Sequence, residues 1–179
     1  MAKNLKGSKT EANLMSAFVN ESQVRTKYTI FEEKAKEEGF EQISKIFKKT
    51  ADNEKAHAEV WFKILHDDAV QSTGINLTDA FKGESFEHDK LYAEYAKVAE
   101  EEGFTEIAKK FRLIGEIEKN HADRYKTFSD NIKKEKVFKR KEKQTWICLN
   151  CGHMHVGVKA PEVCEVCGYG QAYFQVKEN

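Results

Sequence analysis

The sequence predicts an all-α four-helix bundle, followed by a small C-terminal β module that holds a metal on four cysteines. Three observations carry this. Residues 1–132 contain no proline and no cysteine, and a segment within them repeats at a shift of 64 residues. The four cysteines all lie in one C-terminal stretch, as two C-x-x-C pairs. One proline and ten glycines in 179 residues, 34% of them charged, leave few breakers, which favours long helices over a many-stranded sheet.

The repeat defines the bundle. YTIFEEKAKEEGFEQISKIFKKTADNEKAH aligns with YAEYAKVAEEEGFTEIAKKFRLIGEIEKNH. Tyr28 meets Tyr92, Gly39 meets Gly103, Phe40 meets Phe104, Phe47 meets Phe111, Glu54 meets Glu118 and His57 meets His121. Two copies are too few for a solenoid but suit a duplicated helical hairpin. Each EEGF reads as the end of one helix and the start of the next. Helices are expected over 10–38, 41–66, 79–102 and 105–132. The joint DDAVQSTGINLTD reads as a loop long enough to cross the bundle, which gives the ferritin-like arrangement with one long crossover. The expected domains are the bundle over 1–132, a basic linker over 133–145 and the cysteine module over 146–179.

Charge and hydropathy exclude several classes. Lys+Arg and Asp+Glu both total 30, so the net charge is zero. A neutral chain is not held to nucleic acid or to an anionic membrane by bulk charge. No apolar run reaches the roughly 18 residues a membrane helix needs. The opening MAKNLKGSKTEANL has no apolar core of a signal peptide, so a cytoplasmic location is expected.

The apolar stripes of the four helices carry carboxylates. Helix one reads Leu14, Phe18, Glu21, Val24, Tyr28, Phe31, and helix two Ile43, Phe47, Thr50, Glu54, His57, Trp61, Leu65. Helix three reads Phe81, Glu84, Glu87, Leu91, Tyr95, Val98, and helix four Ile107, Phe111, Ile114, Glu118, His121, Tyr125, Phe128. Five glutamates converge with no Lys or Arg on the same stripes. Burying one ionised carboxylate unpaired costs several kcal/mol, and packed like charges repel. Two divalent cations resolve this. In E-x-x-H both side chains share one helix face and reach one metal. One Glu from each of two helices plus E-x-x-H from each of the other two is the general di-iron or di-manganese pattern. At the repeat shift Glu21 maps to Ser85 rather than to Glu84 or Glu87, so the duplication has drifted there. Tyr28 and Tyr92 are candidate hydrogen-bond donors to the carboxylates, with a plain core role as the alternative. His66, His88, His153 and His155 read as surface residues.

In the tail WICLNCGHMHVGVKAPEVCEVCGYGQAYF twelve residues separate the pair Cys148 and Cys151 from the pair Cys164 and Cys167, and each pair is followed by a glycine. Four thiolates at this spacing close a tetrahedral metal site. Spacing alone favours structural zinc. An iron that moves one electron is the more useful occupant beside a redox-active di-metal site.

Together these motifs resemble the rubrerythrin family, over essentially the whole chain. LKGSKTEANLMSAFVNESQVRTKY is similar to its first helix, TADNEKAHA to its second, GESFEHDKLY to its third and GEIEKNHADRY to its fourth. TWICLNCGH and APEVCEVCGYG are similar to the knuckles of its rubredoxin-like domain. Glu165 stands where the family often has proline. The resemblance implies a hydrogen peroxide reductase protecting against oxidative stress. Its non-haem di-iron centre would be held by Glu21, Glu54, His57, Glu84, Glu87, Glu118 and His121. A mononuclear iron on Cys148, Cys151, Cys164 and Cys167 would relay electrons. It further implies Glu54 and Glu118 as bridges, exchange of His57 and Glu87 with oxidation state, an NAD(P)H-dependent reductase or rubredoxin as electron donor, and a homodimer or larger homo-oligomer, with the tail of one subunit of a dimer near the bundle of the other. A ferroxidase-type iron-handling protein and a non-catalytic metalloprotein with structural zinc in the tail are the alternatives.

Overall fold

The computed structural model describes residues 4–67 and 69–177; Met1–Lys3, Asp68 and residues 178–179, which belong to the expected domain spans, lie outside it. The chain divides into two compact units, Met1–Val70 and Gln71–Asn179.

The first unit is an antiparallel hairpin of α1 (Lys9–Glu37) and α2 (Glu41–Leu65). Ser8 caps the start of α1: the Glu11 amide donates to Ser8 Oγ at 3.1 Å, while the Glu11 carboxylate accepts from the Gly7 amide one residue before the cap. α1 stops where Gly39 takes φ +82°, a left-handed value that glycine adopts without steric cost. The seam between the helices is made of small residues, with Ala35, Ser44, Ala51 and Ala58 buried. Small side chains let the two backbones approach closely. Tyr28, Phe31 and Phe47 cluster beside the seam with ring centroids 5.6–6.2 Å apart.

The second unit contains the other hairpin and the cysteine module. α3 (Thr73–Phe86), a π-helical turn (Glu87–Leu91) and α4 (Tyr92–Glu101) form one continuous rod, which packs antiparallel to α5 (Thr105–Lys133). The seam repeats at the sequence shift: Ala99, Ala108, Gly115 and Ala122 are buried where Ala35, Ser44, Ala51 and Ala58 are buried in the first hairpin. The duplication is therefore visible in packing as well as in sequence. Gly103 ends the rod at φ +85°, as Gly39 ends α1.

The module is a three-stranded antiparallel sheet in the order β2-β1-β3, formed by β1 (Lys139–Cys148), β2 (Met154–Lys159) and β3 (Phe174–Val176). Its core is Trp146, Cys148, Ala160, Cys164 and Phe174. The Trp146 indole N–H donates to Gly157 O at 2.9 Å, so the largest buried side chain is also polar-satisfied.

Three expectations change. The third helix begins at Thr73 rather than at residue 79, after Ser72 in extended conformation (ψ 153°). Gly74 and Asn76 read as loop formers but are helical; Gly74 lies against Ile132, and Thr78 Oγ1 donates to Gly74 O at 2.9 Å. The connection from α2 is thus residues 66–72, shorter than the loop expected over DDAVQSTGINLTD. Second, β1 begins at Lys139, inside the stretch expected as linker. Third, the π turn interrupts what the sequence reads as uniform α-helix.

Candidate metal centres

Each hairpin gathers one carboxylate–histidine cluster. In the first, ligand atoms of Glu21, Glu54 and His57 all lie within 4.8 Å of one another. His57 Nδ1 is 3.0 Å from Glu54 Oε2 and 3.9 Å from Glu21 Oε2. In the second, Glu84, Glu118 and His121 meet the same 4.8 Å limit. His121 Nδ1 is 2.8 Å from Glu118 Oε2 and 3.5 Å from Glu84 Oε2. The i,i+3 spacing works as expected, because both residues of each E-x-x-H sit on one face of α2 or α5.

The electrostatics are those of carboxylates packed against one another. A hydrogen bond shared with Glu54, then desolvation and the charge of Glu54, raise the Glu21 carboxyl above its ordinary value; His57 opposes this. Burial, then a shared hydrogen bond with Glu118 and its charge, raise Glu84 in the same way. No Lys or Arg ion pair reaches Glu21, Glu54, Glu84 or Glu118 among the described residues. A donor set of two carboxylates and one imidazole in each hairpin fits a divalent cation, since hard oxygen and imidazole ligands both suit iron, manganese and zinc.

The π turn explains why the duplication appears to drift. Seven residues, two α-turns, lead from Glu21 to Tyr28, whereas eight lead from Glu84 to Tyr92. The π turn at Glu87–Leu91 absorbs the extra residue. Glu84 is therefore the structural counterpart of Glu21, although Ser85 aligns with it by number. Glu87 sits at the start of this turn and outside the compact cluster. Its charge, with those of Glu118 and Glu84, supplements burial in raising the Tyr92 phenol. The Tyr92 ring packs against Tyr95 and Phe111, within electrostatic reach of these carboxylates. Tyr28 is held in the aromatic cluster with Phe31 and Phe47.

His88, read from sequence as a surface residue, is only 26% exposed, and its Nδ1–H donates to Gly115 O on α5 at 2.9 Å. The approach is close: a Cβ built on Gly115 would lie 3.3 Å from Tyr92 Cβ. The sequence signal for this pair was a mid-helix glycine, which costs helix stability unless packing requires it.

The four cysteines form the third cluster. The Sγ atoms of Cys148 and Cys167 are 3.7 Å apart, as are those of Cys151 and Cys164. A tetrahedron with metal–sulfur bonds of about 2.3 Å has edges of about 3.8 Å, so the cage has the size of a metal site; a disulfide needs about 2.05 Å. Two equivalent turns build it. Gly152 N–H donates to Cys148 O at 2.8 Å and Gly168 N–H to Cys164 O at 2.9 Å. Both glycines have positive φ, +77° and +74°. A backbone hydrogen bond at Tyr169, aided by the Asn150 side chain, lowers the Cys167 thiol to about 6. A backbone hydrogen bond at His153 lowers Cys151, but desolvation and the other three thiols outweigh it and raise Cys151 to about 12. His153 Nε2 lies 3.0 Å from Glu165 Oε1, so the residue in the family's usual proline position ties the two knuckles together.

Two carboxylate–histidine hairpins with a four-thiolate β module define a ferritin-like protein with a rubredoxin-like domain. Comparison with known proteins agrees. The rubrerythrin family model matches residues 12–73 and 76–147, and that of the rubrerythrin rubredoxin-like domain matches 146–175. The chain is 45% identical to rubrerythrin-1 of Clostridium acetobutylicum, covering 97% of each chain. It is 44% identical to rubrerythrin of Clostridium perfringens, again over 97% of each. With rubrerythrin of Nitratidesulfovibrio vulgaris the identity is 40% over 97% of each. The chain belongs to the rubrerythrin family, and its carboxylate–histidine and four-cysteine clusters are the candidate di-iron and rubredoxin-like sites of that family. No helix among the described residues is long and apolar enough to cross a membrane.

Proposed function

We propose that the protein reduces hydrogen peroxide to water, with electrons received through the cysteine module from an NAD(P)H-linked reductase or a rubredoxin. The observation that carries this reading is the pairing, in one chain, of a carboxylate–histidine set with a metal-sized thiolate cage. A ferroxidase has no use for the second, and structural zinc in the tail has no use for the first.

Glu21, Glu54, His57, Glu84, Glu118 and His121 would hold the two irons, with Glu87 as the further carboxylate. Cys148, Cys151, Cys164 and Cys167 would hold the relay iron. The reduced iron pair supplies the two electrons that split one O–O bond; with two protons, one peroxide gives two waters. The residues govern protons and charge. Without metal, Glu21 and Glu84 have raised affinities for a proton, so a cation that binds them displaces that proton. Tyr92 keeps its phenolic proton and can donate a hydrogen bond toward the carboxylates. The roles of Tyr28 and Tyr92 are those of positioning groups. Activity in the cytoplasm belongs to the same reading.

Anaerobic stopped-flow tests it. The fully reduced protein is mixed with hydrogen peroxide, and in parallel with oxygen, while the ferric–thiolate absorbance of the module is followed. Fast reoxidation by peroxide and much slower reoxidation by oxygen is the expected outcome. A module without ferric–thiolate absorbance in iron-loaded protein, or preference for oxygen, refutes the reading.

A further inference from the structure

We propose that the outward face of the cysteine-module sheet is the docking surface for an acidic one-electron carrier protein, which delivers electrons to the module there. The proposal rests on the peroxidase reading above, which needs such an entry point. What leads to it is a strand whose alternation is inverted, beside a run of lysines without ion pairs.

In an antiparallel sheet with one face toward solvent, polar side chains normally point out and apolar ones in. β2 does the opposite. Its ladder partners fix the faces: His155 stands opposite the buried Trp146, whereas Met154 stands opposite Ile147 and Val156 opposite Thr145. Met154, Val156 and Val158 therefore share the face away from Trp146, and they are 55%, 65% and 44% exposed. The positions that alternate with them are His155 and Gly157. A contiguous apolar stripe with a charged rim marks an interaction surface.

The rim is basic. Residues 133–143 hold seven Lys or Arg against two Glu, net +5, in a chain whose total charge is zero. The structure sets Lys139 onward in β1. Arg140 lies over the Trp146 ring, with Cζ 5.6 Å from its centroid, on the inner face. Its strand neighbours Lys139 and Lys141 alternate to the outward face and Lys143 follows them; all three are exposed. None of the three has an ion pair among the described residues. Lys139 also stands opposite Lys159 in the ladder, and like charges so placed repel. Glu162 neutralises Lys159 at 2.9 Å, which leaves Lys139 to a carboxylate from outside. An apolar centre with a cationic rim selects a partner whose own apolar contact is ringed by acidic side chains.

The face also adjoins the thiolate cage. Ile147 precedes the cage residue Cys148, whose amide donates to His153 O at 2.9 Å just before β2. A carrier seated over Ile147 and Met154 is one strand away from Cys148. The knuckle edge, where Cys151 is exposed, stays open for onward transfer. One electron leaves the carrier and reduces the module iron from ferric to ferrous, with no bond made or broken. Two such transfers supply the pair that one peroxide consumes.

Stopped-flow on the full-length, iron-loaded protein tests this. The probe is flavodoxin hydroquinone, an acidic one-electron carrier, mixed anaerobically with the oxidised protein while loss of the ferric–thiolate absorbance is followed. Val156→Asp puts a carboxylate into the apolar stripe, and Lys141→Glu with Lys143→Glu reverses the charge of the rim. These positions are exposed, and an unchanged ferric–thiolate spectrum with unchanged reduction by dithionite shows that the cage is intact. Each variant is expected to slow reduction by the carrier about tenfold at low salt, and the deficit of the lysine variant should shrink at high salt. Unchanged rates in both variants, or no reduction of the wild type by the carrier, overturn the proposal. So does a loss of oligomer mass in sedimentation with an unchanged rate, which assigns the face to a second copy of this chain. Reoxidation of dithionite-reduced protein by peroxide bypasses the face and should be the same in all variants. If the wild type fails at that step alone, the peroxidase reading falls while the docking surface stands.

Discussion

Glu84→Gln separates the electrostatic strain of the cluster from its metal-binding role. The Glu84 side chain is 23% exposed, and its ligand oxygen lies within 4.8 Å of ligand atoms of Glu118 and His121. Two unit charges at that distance repel by about 3–4 kcal/mol at an effective dielectric constant of about 20. Partial exposure and the nearby imidazole reduce the net effect to about 1–2 kcal/mol. The folded state raises the Glu84 carboxyl above 4.5, so the stability its protonation brings is complete below that pH and is lost as pH rises through the raised value. The amide carries no charge. Metal-free Glu84→Gln should therefore be more stable than the metal-free wild type at about pH 8, by about 3–6 °C in Tm for a chain of this size. The gain should vanish near pH 4. With iron bound the order reverses, because a ligand has been lost. Thermal unfolding followed by helical circular dichroism, with and without metal at both pH values, measures all four cases. A metal-free variant less stable than wild type at pH 8, or an equal gain at pH 4, would refute the picture of a strained carboxylate cluster.

Other perturbations probe the remaining parts. Trp146→Phe removes the hydrogen bond to Gly157 O at 2.9 Å and leaves a void in the module; a loss of about 2–3 kcal/mol is expected from urea unfolding of the metal-loaded protein. In metal-free, reduced protein Cys167 should be alkylated first, with its rate half-maximal near pH 6, while the exposed Cys151 stays slow up to pH 9. Mass spectrometry of pulse-labelled peptides reads this, and faster labelling of Cys151 contradicts the asymmetry. His88→Ala frees the π turn from Gly115 O; about 1–2 kcal/mol of stability and part of the bundle iron should be lost, while unchanged iron content would show that the turn does not position Glu84.

The order of elements, the duplication and the residue types that gather in each cluster were legible in the sequence because they follow from local rules. A 3.6-residue period, the EEGF breaks and the i,i+3 spacing of Glu54–His57 and Glu118–His121 act within a turn or two of helix. The cysteine cage was legible for the same reason: its two knuckles are local turns closed by Gly152 and Gly168. Other features were hidden because distant atoms decide them. Gly74 reads as a loop residue, yet it is helical against Ile132, and so the connection is short. The correspondence of Glu21 with Glu84 is masked by one residue that only a π turn can absorb. His88 reads as a surface side chain until Gly115, twenty-seven residues away, offers it a carbonyl. The residue pattern alone places the candidate metal-holding groups on particular helices, since periodicity is a property of each segment. Register within each hairpin came from packing instead, because it depends on close approach of small residues and on where each rod begins and ends.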